Sequence, residues 1–371
     1  MLLSAALIVK NEEKSLGACL DSLKEIVDEV VVVDTGSTDG TKDLARRAGA
    51  RLSDFRWTND FSAARNRALE LARSEWVLSI DADERVRLPA GPELRSQLAQ
   101  TSFVGYYVAL YPRRGFTSQW VPRIFRNHPN IRFRSAFHEA IGPALQEYRA
   151  ISGGRIGYSS LEIDHEGYEG DQHAKWVRNL PILRKAVRQE PERVYCWCHL
   201  AEVYAGLGKD RAAEGAWNTA LGLVRRSTAP TPDDGLPYIG FIPWQFARGR
   251  DVSALLEEAA QRCPRNIQLF WIRGRILMSG GRFEEAMGCF ENLLEIGKIG
   301  IFDRTLGYDT RLFHVLSYDS LATCCFRIGR HAESRRYYEL AAQSDPERLE
   351  YRVKAQLCSR LARPGEETAR A

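Results

Sequence analysis

Apolar runs alternate with amphipathic segments through the first 90 residues of the chain. Leu3–Val9 and Val30–Val33 are continuous apolar runs of strand length, and Trp76–Ile80 is a third, with one serine. Such runs predict strands that are buried on both faces, as in parallel sheets. Three leucines recur at helical spacing between the first two runs: Leu16, Leu20 and Leu23. Strand, helix, strand at this spacing predicts a parallel pair of strands.

The remaining pattern of this half continues the alternation of strands and helices. Helices are predicted over 42–48 and about 60–72, a short strand over 50–52, and an aromatic strand over 106–111. Polar residues gather where the strands end, and open parallel sheets bind ligands at the carboxyl ends of their strands. The first half is therefore predicted to be an α/β domain with its site at that edge.

From about residue 171 the strand pattern stops and a helical repeat begins. Large, small, aromatic and glycine positions recur three times at the spacing of tetratricopeptide helix pairs. Gly208, Gly281 and Gly329 are predicted to end the first helix of each pair. Three prolines fall just outside the pairs, where proline stops a helix: Pro191, Pro264 and Pro346. We predict an α/β domain over 1–170 and an all-α repeat domain over 171–371, with inserts over 228–244 and 298–312.

Composition narrows the class of protein. The chain has 371 residues and a formal charge of +4, which gives no case for a nucleic-acid-binding face. The eight cysteines show no C-x-x-C spacing and mostly lie in helical patterns, which predicts reduced core thiols. The first apolar run is followed by Lys10-Asn11-Glu12-Glu13, so it reads as a strand and not a signal peptide. With no apolar run near the roughly 20 residues of a membrane span, a cytoplasmic location is expected.

The glycine pattern excludes two nucleotide-binding folds. Gly36 and Gly40 do not form G-x-G-x-x-G, and no G-x-x-x-x-G-K-[ST] occurs. A nucleotide would then be held by acids. Asp34, at the end of the second strand, could accept a hydrogen bond from a uracil N–H or a ribose hydroxyl. Its alternative role is that of a turn-forming residue before Thr35-Gly36.

Asp81 and Asp83 follow the third apolar run, one residue apart. Side chains at i and i+2 of an extended segment point the same way, so two oxygen ligands would converge on one spot. Oxygen ligands of this kind suit Mg²⁺ or Mn²⁺ bound to a substrate diphosphate. The alternative is that both residues serve as turn or cap residues.

Four blocks in this order are similar to those of the family 2 glycosyltransferases of GT-A fold. They are Ala6–Glu12, Val31–Thr41, Phe61–Asn66 and Leu78–Glu84. With the repeats, the chain resembles bacteriocin S-glycosyltransferases and protein or lipopolysaccharide-core glycosyltransferases. The resemblance implies inverting transfer from a nucleoside diphosphate sugar, usually a UDP-sugar, with Mg²⁺ or Mn²⁺. By motif match, the donor-binding residues are Val9, Glu12, Asp34, Asp60, Arg65, Asn66, Asp81 and Ala82.

The same resemblance makes Asp83 the more direct metal ligand of the acidic pair. GT-A enzymes often complete the metal site with a histidine from the end of the domain, and His165 stands where that residue would fall. His165 could instead contact the diphosphate or the substrate, or be structural. Arg123 and Arg126 flank an apolar pair and could face a diphosphate.

Inverting transfer needs one carboxylate as general base. Glu139 is the candidate, placed beside His138 and after a predicted strand, with Asp164 and Glu166 as competitors. We predict transfer of a hexose or N-acetylhexosamine to a Cys, Ser or Thr side chain of a peptide or protein. The alternatives are a saccharide or lipopolysaccharide-core acceptor, or a non-catalytic repeat scaffold with a degenerate transferase domain. The repeats would hold the acceptor or form a homodimer.

Overall fold

The computed structural model describes residues 1–88, 93–137, 139–166, 172–229, 231–300, 304 and 306–362. The first part of the chain alternates strands and helices as predicted. Its elements are β1 (Leu3–Val9), α1 (Leu16–Leu23), β2 (Glu29–Asp34), α2 (Thr41–Arg47), β3 (Arg51–Asp54), α3 (Phe61–Leu71), β4 (Trp76–Ser79), β5 (Glu84–Arg87), α4 (Glu93–Leu98), β6 (Phe103–Tyr111), β7 (Gln119–Arg126), α5 (Gly142–Ser152) and β8 (Arg155–His165).

The eight strands form one mixed sheet in the order β3-β2-β1-β4-β7-β6-β8-β5. Strands β1 to β4 are parallel to one another, β7 runs antiparallel to both β4 and β6, and β8 pairs parallel with β6. Alternate residues of β1 pack on opposite faces. Leu7 lies in the cluster with α1, whereas Ala6 lies in the cluster with α3. Burial on both faces explains why β1 and β2 read as unbroken apolar runs.

The segment that carries Asp81 and Asp83 joins distant parts of the sheet. β4 pairs with β1 and β7, but β5 pairs antiparallel with β8 at the edge. Between them the Glu84 N–H donates to the Asp81 carbonyl at 3.1 Å, which closes a tight turn. The extended segment predicted here is therefore wrong, because the chain must turn to leave β4 and reach β8.

The rest of the described chain is helical. Its elements are α6 (Gln172–Gln189), α7 (Val194–Gly206), α8 (Asp210–Arg226), α9 (Leu236–Phe246), α10 (Ser253–Arg262), α11 (Ile267–Ser279), α12 (Phe283–Ile299), α13 (Val315–Arg327), α14 (His331–Ser344) and α15 (Glu350–Leu361), with short 3₁₀ turns at Pro232–Gly235 and Thr310–Phe313. Gly208, Gly281 and Gly329 each follow the first helix of a predicted pair with positive φ, as proposed from the sequence. The first insert, predicted over 228–244, contains most of α9, and α10 follows after it.

Two compact units divide the chain between Lys209 and Asp210, and the short segment Arg304–Gly307 belongs to the first. The boundary predicted at 170/171 falls within residues 167–171, which are not among the described residues, and it stays a prediction. All eight cysteines lie in the described part, none is in a disulfide, and seven are buried. None of the helices among the described residues is long and apolar enough to cross a membrane.

Candidate active site

The carboxyl ends of β1 and β2 carry the first predicted site residues. Val9 lies beside Asp34 in the parallel register, is buried, and accepts hydrogen bonds from the N–H and hydroxyl of Thr35. The Asp34 side chain accepts from the N–H groups of Gly36 and Ser37, each at 2.9 Å to Oδ1. Burial opposes ionisation of this carboxyl, but the hydrogen bonds from Ser37 outweigh it, and the pKa of Asp34 is lowered.

The second oxygen of Asp34 has a different environment. Oδ2 is buried and has no hydrogen-bond partner among the described residues. A buried ionised oxygen without a donor is costly, so a donor from a ligand would be favourable there. This orphaned acceptor fits the nucleoside contact that the sequence predicts for Asp34.

Glu12 lies close to the acidic turn. Its backbone N–H donates to the Thr41 hydroxyl at 2.7 Å, which ties the end of β1 to the start of α2. Burial, then the negative charge of Asp83, raises the pKa of the Glu12 carboxyl, and Asp81 adds to the effect. The charges of the acidic pair therefore act on Glu12, and its predicted contact with the nucleoside stays a prediction.

Helix α3 positions Arg65, the positively charged side chain at the centre of the site. Asp60 caps this helix by accepting from the Ala63 N–H at 3.0 Å. One turn further, Arg65 donates through Nη2 to Asp81 Oδ1 at 2.7 Å and through Nε to Glu139 Oε1. Burial alone would lower the pKa of Arg65, but the charges of Asp81 and Glu139 outweigh it and raise it. Arg65 thus brings two predicted site carboxylates together.

Asn66 acts on the backbone of the loop that carries Glu139. Its Nδ2 donates to the Phe133 carbonyl at 2.9 Å, and its Oδ1 accepts from the Phe133 N–H at 2.8 Å. The loop is closed by an isolated bridge between Arg134 and Ala140, and the strand that precedes it is β7, which ends at Arg126. The structure places Asp60 and Asn66 as supports of this region, and their predicted contact with nucleotide stays a prediction. His138 lies outside the described residues.

Glu84 is a site residue that the sequence analysis missed. It is 1% exposed, its Oε2 accepts from the Asp81 N–H at 2.8 Å, and its Oε1 accepts from Arg123 Nη2 at 2.6 Å. Burial raises the pKa of Glu84 to about 7, against the opposing charge of Arg123. The signal in the sequence was an acid directly after Asp-x-Asp. Its partner, Arg123, lies in β7, so the residues next to Glu84 do not indicate the pairing.

Two guanidinium groups hold Asp81. Besides Arg65, Arg123 approaches Asp81 Oδ2 at 3.8 Å. Burial would raise the pKa of Asp81, but the charges of Arg65 and then Arg123 prevail and lower it to about 2. Asp81 is therefore ionised at any physiological pH, with its charge compensated by the protein. Ala82, the residue between the two aspartates, is buried.

Asp83 turns to a different partner. His165 Nε2 lies 3.2 Å from Asp83 Oδ2, while His165 Nδ1 lies 3.2 Å from the Pro112 carbonyl. The carbonyl and the carboxylate both only accept, so both contacts are hydrogen bonds when Nδ1 and Nε2 each carry a proton, that is, when the imidazole is protonated. The hydrogen bond with Asp83 raises the pKa of His165 above its usual value. The pairing of β5 with β8 produces this contact, since Glu84 lies opposite His165.

Three residues weighed in the sequence analysis lie elsewhere. Arg126 stacks on the Trp76 ring at 4.1 Å and pairs with Glu75, so the expectation that it faces a diphosphate is wrong. The two competitors of Glu139 are paired with arginines of β5: Asp164 with Arg87 at 2.7 Å and Glu166 with Arg85 at 3.2 Å. Of the three candidate bases, Glu139 alone is joined to Asp81 through Arg65.

The site provides few ligands for a metal ion from the protein itself. Within the described ranges, no group of three or more His, Cys, Asp or Glu side chains is arranged to hold a metal. Asp83 and His165 nevertheless form a carboxylate–imidazole pair with the imidazole oriented by a backbone carbonyl, which is a common arrangement around protein-bound metals. The donor set therefore fits a divalent cation that takes its other ligands from a substrate and water.

Comparison with known proteins defines the class of the first domain. Residues 4–153 match the model of the Glycosyl transferase family 2, so the chain carries a domain of that family. The resemblance drawn from the four sequence blocks is confirmed for this domain. The predicted fold class, a GT-A domain followed by an all-helical region, is also confirmed.

Three relatives illustrate the range of similar proteins. A TPR repeat-containing protein of Synechococcus elongatus is 37% identical over 221 residues, covering 57% of this chain and 54% of that protein. The prophage-derived glycosyltransferase SunS of Bacillus subtilis is 28% identical, covering 51% and 46%. The lipopolysaccharide core biosynthesis glycosyltransferase LpsC of Rhizobium meliloti is 33% identical, covering 44% and 66%. The chain thus spans about half the length of the first two relatives.

Proposed function

We propose that this chain is an inverting, metal-dependent glycosyltransferase. It would move a hexose or N-acetylhexosamine from a UDP-sugar to a Cys, Ser or Thr side chain of a peptide or protein. The observation that carries the proposal is the Asp83–His165 pair, held 3.2 Å apart beside the carboxyl ends of the parallel strands. A cation bound there would neutralise the donor diphosphate and stabilise the departing UDP.

The donor would lie along residues that the structure already orients. Asp34 offers a buried Oδ2, which has no hydrogen-bond partner in the described part of the chain, to a uracil N–H or a ribose hydroxyl. Arg65 forms ion pairs with Asp81 and Glu139, and Arg123 forms one with Glu84. The two arginines therefore hold the carboxylates around the pocket in position. Mg²⁺ or Mn²⁺ would be held by Asp83 and His165, with diphosphate oxygens and water as the remaining ligands.

Glu139 is the proposed general base. It would take the proton from the acceptor thiol or hydroxyl as that group attacks the anomeric carbon. Arg65 fixes its position through the Nε contact, and the bridge between Arg134 and Ala140 fixes the loop around it. A carboxylate held in one orientation is a better base for a positioned acceptor than one on a mobile loop.

The decisive experiment replaces Asp83 and measures donor chemistry without assuming an acceptor. We expect Asp83→Asn to lose at least 100-fold (about 3 kcal/mol of transition-state stabilisation) in Mn²⁺-dependent hydrolysis of UDP-sugars, because the cation loses its charged ligand. The matched control is Asp21→Asn, an exposed carboxylate on α1 paired only with Lys24 in the described structure, which should leave turnover unchanged. Full turnover in Asp83→Asn would refute the proposal.

A second candidate keeps the chemistry and changes the acceptor to a saccharide. The similarity to LpsC, a lipopolysaccharide core biosynthesis glycosyltransferase that is 33% identical over 44% of this chain, supports this candidate. Incubation with labelled UDP-sugars, a peptide library and lipopolysaccharide core in parallel separates the two acceptors. Label in the peptide fraction supports the first proposal, and label in the saccharide alone supports the second.

A further inference from the structure

Arg304–Gly307 lies between α12 and α13 in the sequence but belongs to the first compact unit. Its start is anchored on β7. The Trp120 N–H donates to the Arg304 carbonyl at 2.8 Å, and the Arg304 guanidinium lies over the Trp120 ring, 5.4 Å from its centroid. Arg304 is thus fixed against β7, close to the loop that joins β6 to β7.

The end of the segment approaches that loop more closely than a side chain permits. A Cβ on Gly307 would lie 2.5 Å from Pro112 Cγ, 3.0 Å from Pro112 Cδ and 3.1 Å from the Thr117 carbonyl oxygen. The φ of Gly307 is outside the left-handed region, so space and not backbone conformation requires glycine here. Neither a prolyl ring nor a carbonyl can swing aside as a long side chain does, so any Cβ must displace the backbone.

Pro112 is the residue whose carbonyl orients His165. Its oxygen lies 3.2 Å from His165 Nδ1, and the opposite ring nitrogen faces Asp83. The contacts therefore run from Gly307 to Pro112, from Pro112 to His165, and from His165 to Asp83. We infer that Gly307 is a positioning residue for the metal pair: its close approach sets the Pro112 carbonyl, which sets the imidazole.

This inference rests on the proposed function, because it assumes that Asp83 and His165 hold a divalent cation. Groups that orient a metal-bound histidine typically change metal affinity by 10–100-fold when they are lost. Gly307→Ala must shift Pro112 by about 1 Å to restore van der Waals contact. Such a shift breaks the hydrogen bond to Nδ1, so we expect the Mn²⁺ dissociation constant to rise about 10-fold.

The test titrates MnCl₂ into the full chain with UDP present and follows free Mn²⁺ by electron paramagnetic resonance. The matched control is Gly288→Ala, an exposed position on α12 where a Cβ meets nothing within 4 Å. That variant should bind Mn²⁺ as the wild type does. Arg304→Ala provides a milder variant, since it removes the contact of the guanidinium with the Trp120 ring, and should weaken binding in the same direction.

A double-mutant cycle separates positioning from general damage. In a His165→Ala background, Gly307→Ala should change Mn²⁺ affinity less than twofold, because its effect passes through the imidazole. Equal tenfold losses with and without His165 would overturn the inference, as would unchanged affinity in both Gly307→Ala and Arg304→Ala. Failure of the wild type itself to bind Mn²⁺ would overturn the metal-dependent function on which the inference rests.

Discussion

Replacement of Arg65 by methionine tests whether this buried cation is the structural centre of the site. The Arg65 side chain is 10% exposed, and it joins Asp81 and Glu139, which are 31% and 14% exposed. Removing one partner of a buried ion pair costs about 3–5 kcal/mol, since it leaves a charge uncompensated. Asp81 keeps Arg123 and some solvent, so the lower end, about 3 kcal/mol, applies.

That cost should appear in the thermal unfolding of the first compact unit. For a unit of about 200 residues, each kcal/mol lowers Tm by about 2–4 °C, so Arg65→Met should lower Tm by about 6–12 °C. Differential scanning calorimetry in a metal-free buffer at pH 7 measures this. Arg67→Met is the matched control, two residues further along α3, where Arg67 pairs with Glu70 at the surface. Its Tm should change by less than 2 °C.

The source of the cost can be tested through Glu139. If carboxylates left without their guanidinium partner cause the loss of stability, the double variant Arg65→Met/Glu139→Gln should be more stable than Arg65→Met alone, by about 1 kcal/mol. A Tm for Arg65→Met within 2 °C of the wild type would refute the reasoning. So would a loss of the same size in Arg67→Met, because it would show a general sensitivity of α3.

Two further predictions concern the helical region and the pH dependence of stability. Gly274→Val should lower the free energy of unfolding by about 1–3 kcal/mol, because a Cβ there would lie 2.8 Å from the Phe290 ring. Thermal unfolding measures this, and an unchanged Tm in Gly274→Val would contradict the close packing. The hydrogen bond from Arg95 is the main reason that the pKa of Asp28 is lowered from 3.8 to about 2. Its ionised form therefore stabilises the fold fully above pH 3.8, and that contribution is lost as the pH falls toward 2. The Tm difference between wild type and Asp28→Asn should be about 2 °C at pH 6, after allowance for partial exposure, and vanish near pH 2; a constant difference would contradict it.

Features that depend on neighbours in the sequence were predicted well. The unbroken apolar runs locate β1 and β2, and Gly281 and Gly329 mark the ends of α11 and α13. The pattern suffices because burial and helix termination are set by residues a few positions apart. The family resemblance came from four blocks of this kind.

Features that depend on distant pairing could not be predicted in the same way. The partner of Glu84 is 39 residues away, so its burial as an ion pair has no local signal. The turn after β4 exists because β5 must reach β8, which separates Asp81 from Asp83 instead of aligning them. The nitrogen and the oxygen of the Asn66 side-chain amide both bond to the Phe133 backbone, and no spacing rule could reveal that.

The pairing of β5 with β8 also has a consequence for the order in which the protein folds. β1 to β4 can associate early, since short crossovers join them, whereas β5 must wait for a strand that begins some 70 residues later, at Arg155. During synthesis, the end of the site proposed to bind the nucleoside would form before Asp83 meets His165. The metal pair would then be completed last, and a nascent chain that lacks β8 could hold a nucleoside without turning over a sugar donor.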